Sequence, residues 1–438
     1  MNTENLSDIL AEIDWTFENA DTQYLTHGLH KYPARMIPQI PDGLLTAFES
    51  SGFDDGQTIL DPFCGSGTTL VESNLHNHSA IGFDINPFAC QLSTAKTTQI
   101  TDWTRVNDAI KDIQDEYDEI DSIDSNSTHF ISESDTDVNE GWFPQPQFSQ
   151  LIQIEKKVDA IENKYGSTVG RLFRIALSNI VREVSFQRNG EFKRYRMPEE
   201  KRETHTPDVV SLFDDSLIEV INAVKDFSNE VNSNAQTTVY QSDSRVMDEL
   251  DTNEVDCVIT SPPYGDHRTT VAYGQFSRDL SIIAHNESKD SMLDVDKTGL
   301  GGRYDYETTN RIQEYSPALK RTVEELTEVD GRADDAVNFF EDYFAVMKQV
   351  GRVVKQGGPI VWVVSNRTMS RQPIPTHLIT RELCEHLGFN HVETVPRSIP
   401  TKTLPWENAP ENEVGNKGEL MADENIIIME APSEINLS

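Results

Sequence analysis

Two rhythms of apolar residues run along the chain. Short runs at Thr58 to Leu60, Ala80 to Phe83, Thr237 to Tyr240, Cys257 to Thr260 and Pro359 to Val364 are rich in β-branched and other apolar side chains and stop at polar residues or prolines. They predict strands, most of them covered on both faces. Elsewhere apolar positions recur at helical spacing: Leu151, Ile154, Val158 and Ile161, then Val169, Leu172, Phe173, Ala176 and Ile180. Further helices are expected from about Ser216 to Ser228, Ala336 to Val354 and Ile379 to Leu387, the last two stopped by Gly357-Gly358 and Gly388. Strands alternating with helices predict an α/β fold with a mostly parallel sheet. Two last strand candidates, Asn390 to Val395 and Asn425 to Glu430, close the pattern.

The alternation breaks twice, at residues 101–236 and at about 265–334, which read as insertions into a fold formed by 1–100 and 237–438. The first insertion opens with an acidic, serine-rich stretch through Asp135 that reads as solvated, without chemistry of its own. After its helices come Arg182, Arg188, Lys193, Arg194, Arg196, Lys201 and Arg202, interleaved with Phe186, Phe192 and Tyr195. Cations beside aromatics suit phosphate and base contact, so this region is the expected nucleic-acid surface; a basic patch that balances local acids is the plainer reading. In the second insertion, residues 265–278 are polar and face the substrate, and Gly299, Gly301 and Gly302 suggest a mobile loop.

The strand at Cys257 ends in Ser261-Pro262-Pro263-Tyr264. Two prolines cannot extend a central strand, because they donate no backbone hydrogen bond, so the sheet must turn a rigid corner there. Open α/β sheets bind ligands at that carboxyl edge. A hydroxyl, a proline carbonyl and an aromatic ring together suit a planar group bearing an NH2, such as a nucleobase. Alone, Pro-Pro-Tyr could equally be a proline-rich ligand or a plain turn.

Upstream, Asp61-Pro62-Phe63-Cys64-Gly65-Ser66-Gly67-Thr68-Thr69 follows an apolar strand and opens a helix. Gly65 and Gly67 let a ligand lie directly on the main chain. Asp84 ends the second strand, where dinucleotide folds place the carboxylate that accepts from ribose hydroxyls, with Asn86 beside it; a helix cap is the alternative.

The glycine stretch and the proline corner together resemble the paired signatures of the S-adenosylmethionine-dependent amino-methyltransferases of DNA. The resemblance covers the sheet but not the insertions. It implies a Rossmann-like methyltransferase sheet, mostly parallel with an antiparallel closing strand, and S-adenosyl-L-methionine as cofactor. Asp61, Phe63, Gly65, Gly67, Thr68, Thr69, Asp84, Asn86 and Asp243 would bind it, Asp243 at the adenine edge. The segment carrying His30, Tyr32 and Pro33 resembles the family's loop over the methionine end. Ser261, Pro262, Pro263 and Tyr264 would be catalytic, acting on an exocyclic amino group, cytosine N4 before adenine N6, since serine at the corner leans toward cytosine. Double-stranded DNA is the implied partner, with a companion restriction endonuclease left open. An RNA N-methyltransferase and a non-catalytic cofactor-binding subunit are the alternatives; the intact corner and glycine stretch argue against the second. No cysteine directly follows a proline, unlike the nucleophile of carbon-5 methyltransferases.

Charge complicates this picture. The 74 acidic residues against 37 basic ones give a net charge of -37, the wrong sign overall for a protein that approaches phosphates. An acidic surface keeps proteins hydrated in strong salt, which suggests a halophilic source. The four cysteines lack paired metal-ligand spacing and no metal is expected; buried free thiols fit a reducing, cytoplasmic location. The amino terminus has no leader pattern, and no apolar run reaches the ~20 residues of a membrane span.

Overall fold

A computed structural model describes residues 3–123, 141–188, 194–232, 234–265, 272–302, 311–327, 332–369, 372–399 and 423–436. Phe192, Lys193, residues 124–135 of the acidic stretch and residues 266–271 of the polar stretch, all read from sequence above, lie outside the described residues.

Strands β1 (Thr58–Asp61), β2 (Ser79–Asp84), β3 (Thr237–Gln241), β4 (Cys257–Thr260) and β5 (Pro359–Ser365) stand where the apolar runs predict them. A small ribbon, β6 (Arg367–Met369) with β7 (Gln372–Ile374), was not legible in the pattern, and β8 (Asn390–Ser398) and β9 (Asp423–Glu430) complete the set. The main sheet has the order β3-β2-β1-β4-β5-β9-β8. Among the described strands of this sheet, β9 runs antiparallel to β5 on one side and to β8 on the other, and the remaining pairs are parallel. The sheet is therefore mostly parallel with an antiparallel closing strand, as the resemblance implies. Its order reverses between β1 and β4, which pair in parallel, and a ligand crevice forms at such a switch point.

Alternation along the strands separates the two faces. Val361 and Val363 of β5 pack with Leu44 and Phe48 of the helix Gln39–Ser50, whereas Ile360, Trp362 and Val364 pack with Phe340, Tyr343 and Met347 of the helix Arg332–Val353.

The first insertion folds as helices around their own apolar face. Its long hairpin is Gln145–Tyr165 and Ser167–Val184, broken at Gly166 with φ of 99°. Helix Val209–Glu230 joins them, and Phe173, Phe213 and Val220 share a core with Phe88 and Leu92 beside β2. The acidic opening stretch is less solvated than its composition predicts: Val106, Ala109, Ile113 and Ile120 are buried on helices Thr104–Gln114 and Tyr117–Asp121.

The polar stretch expected to face substrate is in part internal. Tyr273–His285 is a helix whose Phe276, Leu280 and Ile283 enter the insertion's core. Its polar residues disguise this role, because Ser277 and Asp279 are buried too, each with a partner: Asn86 for Ser277 and Arg194 for Asp279.

Candidate active site

The carboxyl ends of β1, β2 and β4 and the segment after β3 bring Asp61, Asp84, Ser261 and Asp243 to one cavity that is partly open to solvent. The turn after β1 explains its shape. Gly65 and Gly67 have φ of 48° and 80°, in the left-handed region that favours glycine. They divide the work between them. A Cβ on Gly67 would lie 2.7 Å from the Ser93 Cβ, so Gly67 lets the helix Pro87–Lys96 close in. One on Gly65 would meet only the Tyr32 ring and a backbone oxygen, at 3.8 and 3.9 Å, and Gly65 itself lines the cavity.

Two carboxylates hold this turn. Asp84 accepts from the Gly65 N–H at 3.0 Å and from the Asn86 N–H at 2.8 Å. Asp61 accepts from the Phe63 N–H at 3.0 Å and, through the same oxygen, from the Thr260 hydroxyl at 2.6 Å. Burial pushes each of them up to about 6, opposed by these hydrogen bonds. Asn86 caps the following helix through the Phe88 N–H and donates to the Tyr32 and Ser277 hydroxyls. The capping role thus belongs to Asn86, which lines the cavity together with Asp84.

Of the residues singled out in the sequence, Tyr32, Pro33, Asp61, Phe63, Gly65, Thr68, Asp84, Asn86, Asp243, Ser261 and Pro263 line the cavity. His30, Gly67, Thr69, Pro262 and Tyr264 are set behind or beside it. His30 is buried edge-on against Phe88, its ring centroid 4.8 Å away, and desolvation lowers its pKa to about 3. It packs rather than lines. The Asp243 carboxylate accepts a forked pair from Arg245, at 2.9 Å from Nε and 2.6 Å from Nη2, and Arg245 also meets Asp342 at 2.9 Å.

Tyr264 points across the edge. Its hydroxyl donates to Glu424 of β9 at 3.0 Å and accepts from Ser261 at 3.3 Å. Sequence reasoning passed over Glu424, because its strand looks like an ordinary closing element. It also missed Arg35 and Thr298 in the cavity wall, where Gly265 and Tyr273 of the stretch expected to face substrate stand as well. Arg35 follows Tyr32 and Pro33 closely in the chain, which was the available signal. Its guanidinium bonds the His27 carbonyl and the Gln23 side chain, and desolvation alone lowers its pKa.

The basic stretch is partly internal. Arg194 pairs with Asp279 at 2.9 Å and its guanidinium lies 4.1 Å from the Trp142 ring centroid. Arg182 lies over Phe276 at 4.5 Å. Arg188, Tyr195, Arg196 and Lys201 are exposed or nearly so. Away from the cavity, Asp42, Glu72 and His76 bring possible ligand atoms within 4.8 Å of one another, but the His76 ring nitrogens hold Asp42 and Glu49 as hydrogen-bonded partners.

Sheet order, the single antiparallel strand, the glycine turn and a carboxylate at the end of β2 define a Rossmann-like methyltransferase. The family model for DNA methylases of the N6/N4 type matches residues 4–96. The type II methyltransferase M.MvaI of Kocuria varians is 34% identical over 429 residues, covering 94% of this chain and 92% of that protein. M.BsoBI of Geobacillus stearothermophilus, also a type II methyltransferase, is 22% identical over 93% of this chain and 86% of its own. A solved putative DNA modification methylase from Thermus thermophilus, complexed with S-adenosyl-L-methionine, overlaps 23% of this chain and 40% of its own at 21% identity, with a TM-score of 0.17, too little to bear on the fold. The chain belongs to the S-adenosylmethionine-dependent DNA amino-methyltransferases of type II. Among the described residues no helix is long and apolar enough to cross a membrane.

The residues present fit this family's cofactor. The cavity offers a backbone cradle that a Cβ on Gly65 would narrow, carboxylate acceptors at Asp84 and Asp243, and the guanidinium of Arg35 beside that of Arg245, which pairs with Asp243 and Asp342.

Asp61 gives the site a pH signature. Its pKa of about 6 stands above the ~4 of a free aspartate, so the folded state holds its proton in the window between. Its stabilising contribution is complete below about pH 4 and is lost as the pH rises through 6. In cofactor-free protein at constant salt, Asp61→Asn should therefore be more stable than wild type at pH 8, by roughly 3 kcal/mol, with the gap narrowing below pH 6 and closing toward pH 4. Denaturant midpoints across pH check this, and a gap that stays constant with pH contradicts the assignment.

Proposed function

We propose that the protein methylates the exocyclic amino group of a base in double-stranded DNA, cytosine N4 in preference to adenine N6. The observation that carries the reading is the Ser261-Pro262-Pro263-Tyr264 corner at the end of β4, whose Ser261 and Pro263 line the same cavity as the glycine turn. A target amino group is inaccessible inside a duplex, so the base must swing out, at a cost of a few kcal/mol. Tyr264 then offers its ring for stacking, and Ser261 Oγ with the Pro262 carbonyl accepts the amino hydrogens. Those bonds draw the nitrogen lone pair out of conjugation and aim it into the cavity. Positioning and hydrogen bonding do this without a covalent intermediate.

S-adenosylmethionine, when bound, supplies an electrophilic methyl group on sulfur. Asp84 would accept from its ribose hydroxyls and Asp243 from its adenine edge. Arg35, whose pKa is shifted by burial rather than by a carboxylate, would take the methionine carboxylate. The serine that opens the corner favours cytosine, as in the family.

Duplex DNA incubated with protein and deuteromethyl cofactor, then digested to nucleosides, should yield N4-methylcytosine by mass spectrometry. Tyr264→Ala should lower that yield by at least about a hundredfold while changing the cofactor Kd less than about threefold. N6-methyladenine as the product would reverse the base preference, and a fully active Tyr264→Ala would remove the corner from catalysis.

For the DNA surface, exposed Arg188 and Lys201 are the candidates, whereas Arg194 serves the fold through Asp279 and Trp142. Each phosphate contact contributes about 0.9 to the slope of log affinity against log salt, so Arg188→Ala with Lys201→Ala should flatten the slope by nearly two units. Arg194→Ala should instead lower thermal stability. An unchanged slope in the folded double variant would move the DNA surface elsewhere.

A further inference from the structure

Glu424 stands on β9 opposite Ser365 at the carboxyl end of β5 and opposite Arg397 of β8. The Arg397 guanidinium bonds its Oε2, and Arg397, 5% exposed, also donates through Nε to the Trp15 carbonyl at 2.8 Å. The other carboxylate oxygen, Oε1, accepts from the Tyr264 hydroxyl at 3.0 Å. Tyr264 in turn lies 3.3 Å from Ser261 Oγ. Four side chains from β4's corner, β8 and β9 thus form one line of polar contacts across the sheet edge.

A line of hydroxyls can run in either direction, and what terminates it decides. A carboxylate held by a guanidinium has no proton to give and can only accept. Tyr264 must then give its proton to Glu424, which leaves its oxygen lone pairs for the proton of Ser261. With its own hydrogen directed at Tyr264, Ser261 can offer only lone pairs to a target amino group. The methyl-accepting nitrogen carries hydrogens that need acceptors, so the direction of the line matters to the reaction.

We propose that Glu424, clamped by Arg397, is a positioning residue that fixes the direction of the Tyr264–Ser261 line and so commits Ser261 to accept from the substrate's amino group. The proposal rests on the corner being the catalytic one. No proton moves along the line; the role is orientation.

Glu424→Gln tests the direction directly. Arg397 can only donate, so the amide oxygen must face it and the NH2 must face Tyr264. Tyr264 then accepts from the amide and donates to Ser261, whose own hydrogen turns toward the substrate amine. Donor meets donor. The single-turnover rate of methyl transfer, measured with tritiated S-adenosylmethionine and modification-free PCR-amplified genomic DNA, should fall about a hundredfold. The KM for DNA and the cofactor Kd should change less than about threefold. Tyr264→Phe breaks the line but keeps the ring and the Arg397–Glu424 pair, and should cost only about threefold to tenfold in the same rate. In Tyr264→Phe with Glu424→Gln the reversed line cannot reach Ser261, so the double variant should match Tyr264→Phe alone and outpace Glu424→Gln.

Wild-type rate in Glu424→Gln overturns the proposal, and so do multiplying losses in the double variant, which mark a merely structural role. If Glu424→Gln fails to fold by circular dichroism, Tyr264→Phe decides alone: an unchanged rate there overturns the proposal. Full activity in Ser261→Ala and Tyr264→Ala would overturn the corner reading instead, which keeps the two failures distinct.

Discussion

One carboxylate joins the two halves of the site. Asp61 ends β1, and a single oxygen of its side chain accepts from the Phe63 N–H in the glycine turn and from the Thr260 hydroxyl at the tip of β4. Ser261 is the next residue after Thr260. The turn proposed to cradle the cofactor and the corner proposed to hold the base therefore share one anchor, which is 3% exposed. Methyl transfer requires donor and acceptor atoms in line, and effective molarities collapse when reacting groups drift by about an ångström. A buried bond between adjacent strand tips holds that spacing better than a loop would. Burial of the anchor carries its own cost, visible in its raised pKa.

The acidity of the chain shapes the rest of the molecule. With half as many cations as anions, several arginines meet acids in the interior: Arg245 with Asp243 and Asp342, Arg397 with Glu424, and Arg194 with Asp279. Breaking such a pair leaves a buried charge uncompensated, typically at several kcal/mol, so these cations are committed to the fold. The exposed part of the basic stretch becomes more important to the proposed DNA contact because so much of the stretch turns inward.

Legibility in the sequence followed the range of the forces involved. β1, β2, β4 and β5 announce themselves because strands covered on both faces need apolar side chains at nearly every position. The glycine turn and proline corner are equally local, since each encodes a backbone constraint within a few residues. Long-range pairing was not legible. A cation at Arg194 looks like a phosphate contact until Asp279 is found beside it, 85 positions away in the chain. Helix Tyr273–His285 looks solvated until the first insertion's helices cover Phe276 and Leu280 and partners appear for Ser277 and Asp279. Arg397 had no assignment because its strand register with Glu424 exists only once β8 and β9 pair.

The central claim is that the corner after β4 receives a base turned out of the duplex, with its amino group on Ser261 and Pro262. A crystal structure of the protein with S-adenosylhomocysteine and a duplex carrying its methylation site tests it most directly. The account predicts an extruded base stacked on the Tyr264 ring, its amino nitrogen within about 3.2 Å of Ser261 Oγ and the Pro262 carbonyl oxygen, facing the sulfur of the cofactor product. A target base left stacked in the helix, or an extruded base bound away from the corner, would contradict it.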